Sequence, residues 1–184
     1  NEMLMSIGQA PVSTLNVTGI RDVSIAKARL QSMTRRVLSR GWNFNTDTDY
    51  PLYPDADGIV LVPSTALKVD GMLPTDDFTT RRHEKGLALY NKTDKTFVFP
   101  AQVNVKVTWG FPFEDLPETA RCYIAVAAGR RFQSKAIGSQ ILDAFEEEDE
   151  QKAWLLLERE ERAARGTNLF RSNSGVASIM NRRY

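Results

Sequence analysis

The sequence is poor in the residues that most metal and redox sites use. Its 184 residues include one cysteine, Cys122, and one histidine, His83. A single cysteine excludes an intrachain disulfide and a cysteine zinc cluster. His83 also has no second histidine four residues later, as an HExxH zinc motif requires, because that position is Leu87. We therefore expect no metal and no cofactor, with His83 in an exposed loop and Cys122 buried on an apolar helix face.

Long apolar runs and charge of one sign are also absent. No stretch approaches the ~20 apolar residues of a transmembrane helix, and the start shows no signal-peptide pattern. The chain opens without methionine, as if a helix were already under way, so we expect residues upstream of Asn1. The net charge of +1 gives no overall attraction to nucleic acid or membranes. The common phosphate-loop and nucleophile-elbow motifs are missing as well.

Helical spacing of apolar residues predicts helices near both ends of the chain. A helix over residues 22–40 has Asp22 as its N-cap and Gly41 as the residue that ends it. Two further helices are predicted over residues 117–132 and 139–165. A shorter helix is expected before residue 8. The flanking helices are expected to pack together as one bundle.

The middle of the chain favours strands. Proline and glycine recur between residues 42 and 113, and they separate short β-favouring runs at residues 58–62, 66–69, 86–90, 96–99 and 103–109. The last run alternates, with valines and Trp109 on one face, as a half-buried strand does. Residues 91–95 are a plausible hairpin connection. The fold class is therefore predicted to be α+β: a helical bundle of residues 1–41 and 114–166 with an inserted antiparallel β lobe of residues 42–113.

The last residues, 167–184, have a different composition. The final helix is expected to end at Gly166, and the segment after it carries three arginines and no acid. One interpretation is a disordered terminus. The other is an arm that folds onto a partner, because large apolar residues are uncommon in segments that never pack. We favour the arm, and its candidate contact residues are Leu169, Phe170, Arg171, Ile179, Met180, Arg182, Arg183 and Tyr184.

Two blocks of opposite charge suggest an interface. The helix over residues 22–40 is rich in arginine, and residues 146–150 are all acidic. The acidic run can be a solvated helix face, since consecutive carboxylates fan around a helix and do not converge. The basic stripe can contact phosphates or the acidic run, within one subunit or between two. We prefer the contact with the acidic run, and the candidate interface residues are Lys27, Arg29, Arg35, Arg36, Glu146, Glu147, Glu148 and Glu150.

Several motifs occur together in a characteristic order. Residues 1–12 fit N-x-x-L-x-S-I-G-x-x-P-V, and residues 39–45 read SRGWNFN, which fits S-R-G-W-x-F-N. Residues 115–118 read DLPE, which is similar to a D-x-x-P-E helix start but one residue shorter, and the helix ends near Arg131-Phe132 before the acidic run. In this order the motifs resemble the tail tubular protein A family of T7-like phages, over about half of the chain.

The resemblance implies a structural protein of the virion tail and not an enzyme. It implies a head-to-tail adaptor, a twelve-subunit ring between the portal and the tail nozzle protein (tail tubular protein B). Such a ring supports tail-fibre attachment and surrounds the channel through which genomic DNA leaves, without reading its sequence. The arm would bind the portal, and the β lobe would face the nozzle and fibres. No membrane anchor is expected, and assembly would take place in the host cytoplasm.

Two other functions stay open. One is a virion-associated hydrolase that degrades glycans, which needs two carboxylates roughly 5 to 9.5 Å apart. Its candidates are Asp76, Asp77 and Glu84. The other is a nucleic-acid-binding module that uses Arg35 and Arg36, whose binding would fall steeply with salt.

Overall fold

The structure is a computed structural model that describes residues 21–73, 76–136 and 140–172. Its described part contains three α-helices: α1 (Arg21–Leu38), α2 (Glu118–Ala136) and α3 (Gln140–Ser172). Five strands lie between α1 and α2: β1 (Thr46–Leu52), β2 (Ala66–Gly71), β3 (Phe78–His83), β4 (Gly86–Asn91) and β5 (Val103–Trp109). The predicted α+β class, with helices on both sides of the strands, is confirmed.

The chain forms two compact units. One contains Asn1–Thr34 and Pro112–Tyr184, and the other contains Arg35–Phe111. The division falls inside α1, between Thr34 and Arg35. The domain boundaries expected from the sequence remain a prediction. None of the described helices is long and apolar enough to cross a lipid bilayer.

In the helical unit, α2 and α3 pack against each other in opposite directions. Thr119 near the start of α2 donates to Glu160 late in α3 at 2.5 Å, while Arg130 near its end contacts Glu150. The packed face of α2 consists of small and branched residues of at most 1% exposure: Ala120, Ile124, Ala127 and Ala128. Small side chains at a helix contact allow the two backbones to approach closely. The facing residues of α3 include the buried Ala153 and Leu157.

In the β unit, a three-stranded antiparallel sheet has the order β1–β5–β2, and β3 pairs with β4 as a hairpin. The predicted alternation of β5 is confirmed up to Val107, since Val105 and Val107 are fully buried while Lys106 is exposed, but Thr108 on the predicted polar face is also buried. Leu89 of β4 joins these valines in the core of the unit. Asn91 and Thr96 form a bridge, so the predicted turn over residues 91–95 is confirmed.

The junction between α1 and β1 is tightly bonded. Gly41 has φ +76°, a left-handed conformation that ends the helix at low cost, as predicted. The Trp42 indole donates to Val37 O at 2.8 Å. Asn45, 1% exposed, accepts from Trp42 N at 2.8 Å and donates to Leu38 O at 3.0 Å and Trp109 O at 2.7 Å. The SRGWNFN motif therefore joins the helix end to strand β5.

Several predicted helix boundaries were wrong. Asp22 is a helical residue of α1 and therefore not its N-cap. Helix α2 continues to Ala136, four residues past the predicted end. Helix α3 passes through Gly166 and ends at Ser172, so residues 167–172 are helical and not an extended arm. A glycine costs only ~1 kcal/mol inside a helix, and neighbouring good helix formers offset that. The short helix predicted before residue 8 lies outside the described residues.

The strand prediction missed two strands and overstated two others. Strand β1 contains Asp47, Asp49 and Pro51, and β3 contains two arginines, so neither has a strong apolar pattern. Both are strands because a neighbour supplies the hydrogen bonds. The predicted runs 58–62 and 96–99 form only isolated bridges. His83 is the half-buried last residue of β3 and not part of an exposed loop.

The expectation that Cys122 is buried was also wrong. Cys122 is exposed, because it points away from the α2 face that contains Ala120 and Ile124. Neighbouring residues of a helix can differ widely in exposure, as Leu156 of α3 at 57% and Leu157 at 2% show. Helical periodicity narrows the buried positions to within about one residue, and the neighbouring helix decides which of them is covered.

Candidate subunit interface

A groove of about 340 Å³ lies between α2 and α3. Its lining residues are Tyr123, Arg130, Glu147, Glu150, Gln151, Trp154 and Leu155. The two helices supply these residues because they are antiparallel and in direct contact. The groove thus includes two members of the acidic run, and its volume falls at the lower end of the range of small-ligand sites.

Arg130 holds the acidic run at one end of the groove. Its Nη1 lies 3.1 Å from Glu150 Oε2 and its Nη2 lies 3.2 Å from Glu147 Oε2. Glu147 and Glu150 converge because residues three apart share a helix face. The expectation made for consecutive carboxylates does not cover this pair, whose members are three residues apart. Sequence reasoning missed Arg130, and the i, i+3 spacing of the two glutamates indicated only that they share a helix face.

The other end of the groove is aromatic and apolar. The rings of Tyr123 and Trp154 lie 4.9 Å apart at an angle of 59°. Leu155 at the rim is 62% exposed. The groove therefore presents two chemistries side by side, a pair of aromatic rings and a pair of carboxylates.

The remaining described acids of the run pair with Lys152 on the same helix. Its Nζ lies 2.9 Å from Glu148 Oε1 and 3.6 Å from Asp149 Oδ1. The hydrogen bond to Lys152 lowers the pKa of Glu148, and the same bond raises the pKa of Lys152. Both ends of this pair are well exposed, so it adds little to stability. The side chain of Glu146 lies outside the described residues.

The basic candidates of α1 differ in exposure. Arg35 and Arg36, in the last turn, are exposed, and the described part of the chain supplies no polar or ring partner to either. Lys27 and Arg29 are half-buried. In the described ranges the carboxylates of residues 147–150 contact only Arg130 and Lys152. The predicted pairing of the α1 arginines with the acidic run therefore stays a prediction.

The predicted arm residues fall into two groups. Leu169, Phe170 and Arg171 belong to the last turns of α3, and their side chains are outside what the structure describes. The other candidates lie beyond the described residues: Ile179, Met180, Arg182, Arg183 and Tyr184. A partner-binding role for these residues stays a prediction.

Of the three carboxylates considered for glycan hydrolysis, Glu84 is exposed, and Asp76 and Asp77 have structural contacts. Asp76 Oδ2 accepts from the backbone nitrogens of Met72 and Leu73, each at 2.7 Å. Asp77 pairs with Lys92 and accepts from Thr93, and these bonds lower its pKa. A general acid for glycoside cleavage needs the opposite shift, toward a raised pKa.

Comparisons with known proteins agree with the motif pattern. A profile of the family described as "Tail tubular protein" matches residues 1–167. Tail tubular protein A of Klebsiella phage KP34 is 29% identical to the chain over 125 residues. That alignment covers 68% of this chain and 64% of the phage protein, so the chain spans less than two thirds of that relative's length.

Proposed function

The chain belongs to the tail tubular protein family of phage tail components, and we propose that it is a head-to-tail adaptor. In this proposal twelve copies form a ring between the portal and the tail nozzle protein. The ring supports tail-fibre attachment, and genomic DNA passes through it during ejection without sequence readout. The role is structural, with no catalytic step.

One observation carries this proposal beyond the family. The chain has a net charge of +1. It presents an acidic groove between α2 and α3, and an arginine pair on α1 whose side chains have no polar or ring partner in the described residues. Two complementary surfaces on one chain suit a head-to-tail interface, in which each copy binds the next through different faces. Such an interface generates a closed ring when the rotation between copies closes.

The partners follow from the role of an adaptor. We assign portal binding to residues 167–184, whose first six continue α3 as a helix. Loops of the β unit would contact the nozzle protein and the fibres. Exposed apolar residues suited to such contacts include Tyr53 at 67% and Leu73 at 64% exposure.

Neither alternative function is supported by a specific observation. A glycan hydrolase would need two carboxylates free to face a substrate, whereas Asp76 binds a turn and Asp77 pairs with Lys92. A nucleic-acid-binding module would need phosphate contacts beyond the exposed pair Arg35 and Arg36. We therefore keep the adaptor as the proposed function.

Native mass distinguishes these possibilities. Light scattering would be measured over a concentration series, for the chain alone and with portal protein. A species near twelve times 20.7 kDa supports the adaptor ring, whether it forms unaided or only with portal. A stable dimer or tetramer that does not change with portal contradicts it.

Truncation tests the portal contact separately. A chain that ends at Ser172 keeps all of α3 and lacks residues 173–184. We expect it to assemble normally and to lose portal affinity. Unchanged portal binding by this truncation, and by a chain that also lacks residues 167–172, would refute the assignment.

A further inference from the structure

We propose that the groove between α2 and α3 is the receptor for an arginine from a second copy of this chain, supplied by the Arg35–Arg36 pair of α1. This inference rests on the proposed ring, and it adds the residues that would connect one copy to the next. The groove contributes its carboxylates and aromatic rings, and the neighbouring copy contributes a guanidinium group.

The groove retains unused hydrogen-bond acceptors. Arg130 contacts the Oε2 atoms of Glu147 and Glu150, and their Oε1 atoms have no donor in the described part of the chain. Two carboxylates face one guanidinium, so this end of the groove has an excess negative charge. Lys152 likewise faces two carboxylates, which leaves the rim negative as well. A cation is the complementary guest.

The aromatic half of the groove favours a planar cation. Tyr123 and Trp154 flank the space beside the glutamates. A guanidinium group can stack on such rings and donate two parallel hydrogen bonds to a carboxylate. A lysine ammonium is more strongly hydrated and cannot make that planar double contact. The combination of carboxylates and rings therefore points to arginine.

The last turn of α1 carries suitable donors. Arg35 and Arg36 are exposed and have no polar or ring partner in the described residues. Consecutive helical residues point about 100° apart, since a turn takes 3.6 residues. One of the pair would enter the groove, and the other would lie over the rim near Glu148 and Asp149. Leu155, at 62% exposure, would be covered by the same contact.

Charge reversal on the donor side is the first test. In the double variant Arg35→Glu/Arg36→Glu the substituted side chains have no described polar or ring contacts to lose, so the chain should still fold, at the modest cost of two carboxylates in the last turn of a helix. We expect the concentration for half-assembly to rise about tenfold or more. Arg82→Glu is the matched control, because Arg82 is exposed on β3, lies opposite the uncharged Leu87, and its side chain likewise has no polar or ring partner in the described residues. The control should assemble as wild type does.

Cross-linking tests the pairing directly. The background carries Cys122→Ser, since Cys122 is exposed and would react. One variant adds Arg36→Cys and the other adds Leu155→Cys at the groove rim. Mixing the two with a short bismaleimide should give a covalent dimer of one copy of each. Replacing Arg36→Cys by Arg82→Cys, on the exposed part of β3, should give little product.

The outcomes separate this inference from the ring itself. A ring that forms normally with Arg35→Glu/Arg36→Glu and gives no Arg36–Leu155 product overturns the groove contact but leaves the adaptor standing. A product formed from Leu155→Cys with Arg182→Cys, and not with Arg36→Cys, also overturns it, because the C-terminal segment would then be the occupant. A chain that stays monomeric with portal protein overturns both proposals.

Discussion

Asn45 provides the sharpest test of how the helix end is joined to the sheet. Its buried side chain accepts from Trp42 N and donates to Leu38 O and Trp109 O. The substitution Asn45→Ala removes all three bonds at once. Asn45→Asp keeps the acceptor but places a carboxylate oxygen against two carbonyl oxygens.

The expected loss follows from the partners left behind. The Trp42 amide would be buried without an acceptor, which costs about 1–3 kcal/mol. The two donated bonds are worth about 1 kcal/mol each. Leu38 O would still accept from Gly41 N at 3.0 Å, so losing the bond from Asn45 should cost less there than at Trp109 O. We expect Asn45→Ala to lower the free energy of unfolding by about 3–5 kcal/mol, and Asn45→Asp by at least as much.

Urea unfolding followed by tryptophan fluorescence measures this loss, because two of the three tryptophans, Trp42 and Trp109, lie in the same compact unit as Asn45. With a slope of about 2 kcal/mol per molar urea, the midpoint should fall by about 2 M. The control Asn43→Ala changes an exposed asparagine of the same 3-10 turn and should cost less than about 1 kcal/mol. A loss below about 1 kcal/mol for Asn45→Ala would refute the reasoning.

Three further predictions concern the core, the ion pairs and the thiol. Ile124→Ala in the α2–α3 contact should lower the free energy of unfolding by about 2–5 kcal/mol, measured by heat or urea. Ile25 is half-exposed, so Ile25→Ala should lower it by less than about 1 kcal/mol. Lys85 lowers the pKa of Asp55 below its ordinary 3.8, so this pair stabilises the fold above that pH and the contribution is lost as pH falls through the lowered value. Lys85→Met should therefore destabilise the chain at neutral pH and match wild type in strong acid. The exposed Cys122 should react with a thiol reagent in the native protein.

Each of these has a clear contrary result. Equal losses for the two isoleucine variants would mean that Ile124 is not packed as described. If the free energy of unfolding of Lys85→Met differed from that of wild type by the same amount from neutral pH to strong acid, the ion pair with Asp55 would not be the cause. Lys92→Met is the comparison, because Lys92 lowers the pKa of Asp77 in the same way. Reaction of Cys122 only after unfolding in urea would show that its side chain is covered.

Local patterns predicted some elements well because their residues decide the structure alone. The alternation of β5 required one buried face, and Gly41 supplied the positive φ that ends α1. Strand β1 could not be predicted in this way. Its polar residues form a strand because β5 offers a paired edge, and that edge is far away in the sequence, as the pairing of Thr46 with Thr108 shows.

The candidate site shows the same division. The acidic run and the basic last turn of α1 were evident as charge blocks. Their actual partners were not, because Arg130 meets Glu147 and Glu150 only when α2 and α3 fold back on each other. The exposure of Cys122 was also undetermined, since helical spacing leaves the edge of the buried stripe open by about one residue.

The sequence by itself determined the α+β class, the family and the chemistry of the charged surfaces, because composition, periodicity and motif order are properties of the chain. Only the tertiary structure decided which charges neutralise one another and which are left without a partner in the described residues. Ion pairs between separate helices depend on distances of a few ångströms, and those distances are set by how the apolar faces pack. That packing places Arg130 on the glutamates, and it forms the groove that we assign to a neighbouring copy.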